Sequence, residues 1–154
     1  MKNIIIKDIR KLITDKPNFI YEDTNFKEII SKFIANPINR SLYVVNKNKK
    51  LTGIINAKDI LKKISIDFYS TSFLYKSTGF TEYDILSAID NNPKDLVNNE
   101  IYYVKDNSTI ESAFKLLFNN NIDSIPVVDD DLILIGDLNI LELFHIWEKK
   151  FSKK

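Results

Sequence analysis

The stretch Ile125-Pro126-Val127-Val128-Asp129, continued by Leu134-Ile135-Gly136 and Asn139-Ile140-Leu141-Glu142, has a twin in the same chain. The earlier form reads Leu42-Tyr43-Val44-Val45-Asn46, then Leu51-Thr52-Gly53-Ile54-Ile55, then Asn56-Ala57-Lys58-Asp59, displaced by 83 positions. Upstream of each copy runs a helix-period apolar stripe. The first is Phe26, Ile29, Ile30, Phe33 and Ile34, and the second is Ile110, Ala113, Phe114, Leu117 and Phe118, displaced by 84. The first copy therefore carries one extra residue near 37–41. Duplication on this scale marks two copies of one supersecondary unit, neither able to bury its apolar face alone. Function is expected where the two copies meet.

Each unit reads strand–helix–strand–strand–helix. Phe19-Ile20-Tyr21 predicts the first lead strand, with Asp23-Thr24 as the cap of a helix over 26–35. Ile101-Tyr102-Tyr103-Val104 predicts the second, with Ser108 and Glu111 in capping-box spacing. Hairpins are expected from 42–45 to 51–55 across Asn46–Lys50, and from 125–128 to 132–138 across Asp129–Asp131. Residues 1–16 carry Ile6, Ile9, Leu12 and Ile13 at helical spacing, and Pro17 ends that segment. Phe33, Val44, Ile55, Leu117, Val127 and Leu138 are the expected core. The organisation is thus 1–64 for the first motif, 65–95 for a linker and 96–154 for the second. The linker holds aromatic and hydroxyl residues at 68–78 and a short helix carrying Ile85, Leu86 and Ile89, stopped by Asn92-Pro93.

Composition bounds the rest. At 154 residues and 44% hydrophobic, the chain can bury one shared core. A net charge of +1 supplies no bulk attraction to nucleic acid or to an anionic membrane surface, so any anion site is local. Without cysteine there is no disulfide, thiolate metal site or thiol nucleophile. The apolar run at Ile4–Ile6 breaks too early for a signal peptide, and no stretch approaches the ~18–20 apolar residues that span a bilayer. A soluble, cytoplasmic protein is expected.

Conventional catalytic constellations are absent from the sequence. The three glycines lie far apart, so no phosphate loop is present. His145, the sole histidine, lacks a partner nearby in sequence and reads as an ordinary helix residue. Asp129-Asp130-Asp131 could attract a cation, yet it lacks the long, regularly spaced ligand loop of hard-cation sites and reads as a solvated hairpin turn. The openings Asn56–Asp59 and Asn139–Glu142 have two readings. An asparagine N-cap with a carboxylate three residues on satisfies orphan amides. The same amides can hold a phosphate, and the carboxylate can accept both hydroxyls of a ribose.

The repeated strand, glycine-bearing strand and helix opening resemble the CBS motif, the cystathionine-β-synthase-type regulatory repeat. The whole chain resembles a tandem CBS pair, or Bateman module, across nearly all of residues 17–148 apart from the linker. The resemblance implies an α+β fold of two β-α-β-β-α motifs with pseudo-twofold symmetry, usually dimeric. It also implies an adenosine-type ligand, such as AMP, ADP, ATP or S-adenosylmethionine, in a cleft between the motifs. Carried over residue by residue, Asp59 would hold the ribose hydroxyls, and Asn56 with Lys58 and the helix amides would face phosphate. Arg40 and Ser41 fall at the position before the second strand, where Arg40 can reach phosphate. Tyr102, Ile122 and Asp123 of the opposite motif would surround the adenine.

Three departures from the family pattern bear on this. Neither motif has the usual Ser or Thr at the opening. Glu142 is one methylene longer than the usual aspartate. Asp137 replaces an apolar residue. The cleft on Glu142 is therefore expected to be degenerate, leaving the one on Asp59. The implied function is a non-catalytic sensing module, needing no cofactor, that acts on a partner protein or an oligomeric state. Its rival is a ligand-free dimerisation module. Apolar residues Ile60, Leu61, Leu143 and Phe144 are expected to need a second copy for cover, with the linker at 68–80 near that interface or over a cleft. An enzyme is disfavoured because no nucleophile–base pair is evident, and a nucleic-acid binder because no basic aromatic platform exists.

Overall fold

A computed structural model describes residues 4–65 and 93–152, so the expected helix at 85–89 and most of the linker lie outside the described residues. The first unit comprises β1 (Phe19–Tyr21), α1 (Phe26–Ala35), β2 (Ser41–Val45), β3 (Leu51–Asn56) and α2 (57–65). The second comprises β4 (Val104–Lys105), α3 (Ile110–Asn120), β5 (Ser124–Val128), β6 (Leu134–Asn139) and α4 (Ile140–Phe151). Each makes a three-stranded sheet, ordered β1-β2-β3 and β4-β5-β6. The lead strand is parallel to the middle strand, which is antiparallel to the last. Even the irregularities repeat. The register slips after Val44 opposite Gly53 in one sheet and after Val127 opposite Gly136 in the other. This is an α+β fold of two β-α-β-β-α units.

The physical reason for the layers lies in the apolar pattern. The middle strands are buried along nearly their whole length because helices cover one face and the other sheet covers the second. Ile20, Ile29, Leu42, Val44 and Ile55 form the helix-side core of the first unit, and Val104, Ala113, Leu117, Val127 and Leu138 that of the second. Tyr43, Val45 and Leu134 meet between the sheets with Phe19, Leu51 and Ile54. The hairpin tips also pair, Leu51 N–H donating to Leu132 O and Leu134 N–H to Lys49 O, both at 3.0 Å. Five of the six expected core residues are buried; Phe33 is half-buried at the rim of the first core.

The lead segments are exchanged. Residues preceding the first unit cover the second: Ile6 N–H donates to Ser108 O, Ile110 N–H to Ile4 O, and Ile6 and Ile9 enter the second core. Residues preceding the second unit cover the first: Leu96 enters its core, and Ile54 and Asn98 exchange backbone hydrogen bonds of 3.0 and 2.9 Å. The second segment thereby shields the edge strand β3, whereas the first pairs with residues 106–110 just after β4.

Several local expectations are corrected. The segment 1–16 is not an amphipathic helix. A single 3₁₀ turn spans Ile6–Asp8, and Leu12 and Ile13 are exposed, because the segment extends across the second unit instead of coiling on itself. Asn25, not Asp23 or Thr24, caps α1 by accepting from Glu28 N–H. Thr109, not Ser108, caps α3 by accepting from Ser112 N–H, while Ser108 Oγ accepts from Lys105 N–H in the preceding turn. The strand expected from Ile101 contains only Val104–Lys105, since the chain before it runs along β3.

Candidate functional site

Both helix openings sit where an antiparallel hairpin ends and its strand turns directly into a helix. Ser41 pairs with Asn56 and Ser124 with Asn139, so each opening lies beside the start of its middle strand. At the first opening Arg40 O accepts from Ala57 N–H at 2.9 Å. Ser41 Oγ donates to Asn56 Oδ1 at 2.9 Å, and Asn56 Nδ2 donates to Asp59 Oδ2 at 3.2 Å. Three predicted site residues, Ser41, Asn56 and Asp59, are thus joined in one chain of hydrogen bonds. Arg40 and Lys58 are exposed, and Ser41, Asn56 and Asp59 are half-buried.

The second opening uses the same backbone frame to the opposite end. Asp123 O accepts from Ile140 N–H at 2.9 Å, as Arg40 O does from Ala57. Asp123 and Ile122 therefore stand at this opening; they are the repeat equivalents of Arg40 and Asn39. Tyr102 is exposed beyond the lead segment that runs along β3. Glu142 is fully buried and already engaged. Its Oε2 accepts from Asn139 N–H at 2.7 Å, completing a capping box, and its Oε1 accepts from Thr14 N–H at 2.9 Å. The extra methylene that separates Glu142 from Asp59 carries the carboxylate to the main chain of the exchanged lead segment.

Tyr43 closes the same place from the facing sheet. Its hydroxyl donates to Asp137 Oδ1 and lies 3.2 Å from Ser124 Oγ. Tyr43, Ser124, Asp137, Asn139 and Glu142 are all buried there, and Asp137 Oδ2 has no hydrogen-bond partner among the described residues. Burial raises the Asp137 carboxyl to about 7, with the nearby Glu142 carboxylate adding to it and the Tyr43 hydroxyl opposing. Burial likewise pushes Glu142 up against the lowering pull of the Thr14 and Asn139 amides. Tyr43 is raised well above a phenol's usual value, again chiefly by burial and then by Asp137. In the repeat, Tyr43 corresponds to Pro126 and Asp137 to Ile54. The first opening thus faces a shorter, apolar pair where the second is filled by a phenol and an acid.

The CBS domain profile matches residues 6–66 and 94–147, most of the chain. The chain belongs to the CBS domain family. Its pair of CBS repeats is 33% identical over 148 residues to uncharacterized protein MJ1426 of Methanocaldococcus jannaschii, covering 86% of this chain and 84% of that one. It superposes on a CBS domain-containing protein from Thermotoga maritima with a TM-score of 0.72 at 33% identity, over 94% of this chain and 95% of the other. The CBS domain pair of protein MJ0100, solved with 5'-methylthioadenosine and S-adenosyl-L-methionine, shares the fold at 18% identity, with a TM-score of 0.71 and coverage of 96% and 98%.

Within this CBS pair, sequence reading singled out the two openings but missed the residues that fill one of them. Tyr43 read as one residue of an apolar strand and Thr14 as part of a helix-spaced segment, and neither carries a local signal. Asp137 did, as an acid in an apolar strand. The other candidates resolve as structure. Asp129 Oδ1 accepts from the Asp131 and Ile133 amides at 2.9 Å and so builds its hairpin turn. Asp130 pairs with Lys105 at 2.6 Å. His145 Nδ1 lies 3.7 Å from Glu148 on the surface of α4. Among the described residues no cluster of potential ligands could hold a metal ion, and no helix is long and apolar enough to cross a membrane.

Proposed function

We propose that this chain is a non-catalytic, cytoplasmic regulatory module that binds one adenosine-type ligand in the cleft on Asp59, with no cofactor required. The observation that carries this reading is the contrast between the two carboxylates. Glu142 is consumed by Thr14 and Asn139 amides, whereas Asp59 is half-buried and, among the described residues, bonded only through the Asn56 carboxamide, which can rotate away. In this reading Asp59 takes the ribose hydroxyls, and Asn56, Ser41, Lys58 and Arg40 face the phosphate or sulfonium end. The lead segment through Tyr102 borders the base, as the Thr14 segment borders Glu142. Ile122 and Asp123 reach the ligand only from the far opening. The adenosyl ligands bound by the MJ0100 pair support the ligand class.

Titration calorimetry with AMP, ADP, ATP, 5'-methylthioadenosine and S-adenosylmethionine tests it directly. At least one should bind, and Asp59→Ala should weaken it by about 1.5–3 kcal/mol, the scale of hydrogen bonds to a charged group. Heat from none of the five, or affinity unchanged in Asp59→Ala, refutes the site.

A homodimer is the second part of the proposal, and if no ligand binds it is the function that remains. Ile34 and Phe118 are repeat equivalents, as are Leu61 and Phe144, and all four are exposed on the helices. A groove of about 490 Å³ between α3 and α4, lined by Phe114, Phe118, Phe144 and Trp147, continues this apolar face. Ile60 and Leu143, expected to share in it, are instead buried against the chain's own cores.

A further inference from the structure

Gly136 is crossed by the side chain of Arg10, and a Cβ at Gly136 would stand 2.8 Å from Arg10 Cδ. The guanidinium then fills a notch at the outer edge of the second repeat. Nε and Nη2 donate to the two Asp106 oxygens at 2.6 and 3.2 Å, and Nη1 donates to Ile135 O at 3.1 Å. The side chain is only 12% exposed, so this is a fork of charge-assisted hydrogen bonds with little water around it.

The first repeat has the same notch without the arginine. Glu22 is the equivalent of Asp106, Thr52 of Ile135 and Gly53 of Gly136. The residue over Gly53 is Val97, whose side chain a Cβ there would overlap. Valine ends where Arg10 continues. What remains is a cavity of about 450 Å³ lined by Glu22, Asp23, Thr52, Lys94, Val97 and Asn99. Two carboxylates face one ammonium, so the lining favours a cation. The backbone acceptor that Arg10 uses at Ile135 has its counterpart at Thr52.

We infer that this notch of the first repeat is a receptor for a guanidinium group supplied from outside the chain, seated on Glu22 and the Thr52 carbonyl as Arg10 is seated on Asp106 and Ile135. The chain itself shows the bound arrangement, in its other half. The site lies at the hairpin side of the sheet and does not depend on the adenosine cleft. The guanidinium could come from a free guanidino compound or from an arginine side chain of a polypeptide. The chemistry at Glu22 is shared.

The test is a titration of the 15N-labelled chain, following the Glu22, Thr52 and Gly53 amides. Probes are methylguanidinium, agmatine and N-acetyl-arginine amide, with tetramethylammonium as the charge control. Saturable shifts confined to these amides below about 20 mM, absent with tetramethylammonium, are expected. Tighter binding of agmatine identifies a small-molecule source, and tighter binding of the capped arginine a polypeptide source. Glu22→Gln should weaken binding about tenfold. Val97→Arg should place a guanidinium in the notch from within, abolishing the titration and raising the melting temperature. Shifts that do not saturate, that tetramethylammonium reproduces, or that persist in Glu22→Gln overturn the proposal. So does a folded Val97→Arg chain that still titrates like the parent.

Discussion

One methylene separates the two carboxylates that open α2 and α4, and it decides what each can do. Glu142 reaches Thr14 and is spent on structure, so Glu142→Ala is expected to leave adenosine-ligand affinity unchanged. It should cost about 1–3 kcal/mol of stability by orphaning buried amides. Loss of binding in Glu142→Ala with retention in Asp59→Ala would exchange the two clefts. Asp137 makes a separate prediction. Its folded-state value near 7 exceeds the ordinary 3.8, so the fold favours the neutral acid. That contribution is fully present below about pH 4 and is lost as pH rises through 7, on the order of 4 kcal/mol in all. Asp137→Asn keeps the shape and cannot ionise. Denaturant midpoints measured from pH 5 to 8 should fall less in Asp137→Asn than in the parent, and parallel profiles would count against a neutral Asp137. At this scale the sequence pointed to the two openings, since Asn56, Asp59, Asn139 and Glu142 occupy a fixed spacing. It did not show that Tyr43 crosses from the facing sheet, because that contact spans 94 residues and depends on sheet packing.

Among the elements, caps and close approaches set the boundaries. Asn25 accepts from Glu28 N–H, and its own amide donates to Glu28 Oε1, so Asn25→Ala should cost about 0.5–2 kcal/mol, with Asp23→Ala nearly silent. Equal losses in both would restore Asp23 as the cap. Gly136→Ala should force Arg10 off its seat, costing about 1–3 kcal/mol as other overpacked sites do. A denaturation curve unchanged by Gly136→Ala would show that Arg10 is not held there. The helices and hairpins were legible because apolar periodicity of 3.6 or 2 survives in the sequence twice over. The lead segments were not. Ile6, Ile9, Leu12 and Ile13 satisfy a helical spacing, yet only Ile6 and Ile9 find the second core, and Leu12 and Ile13 follow in exposed turns.

For the whole molecule, the symmetric exposure of Ile34, Phe118, Leu61 and Phe144 argues for burial against a second copy. Light scattering at micromolar concentration should report a dimer, and Phe118→Lys with Phe144→Lys should leave a folded monomer. A parent chain that stays monomeric removes the dimer. The duplication itself was readable from spacing alone, and so was the likeness of the two halves. Their exchange of lead segments was not, because a repeat pattern is blind to which copy a flanking segment covers.

That exchange also constrains the order in which the chain can become itself. Residues 4–10 are synthesised well before the surface they cover, from Val104 to Leu143. At about 5–20 residues per second, this segment waits on the order of ten seconds for its partner. Meanwhile the first repeat has all its own strands and helices but lacks Leu96 and the edge cover of Asn98. Neither half can close before the other exists, so the protein is expected to fold as one late event and not as two successive ones.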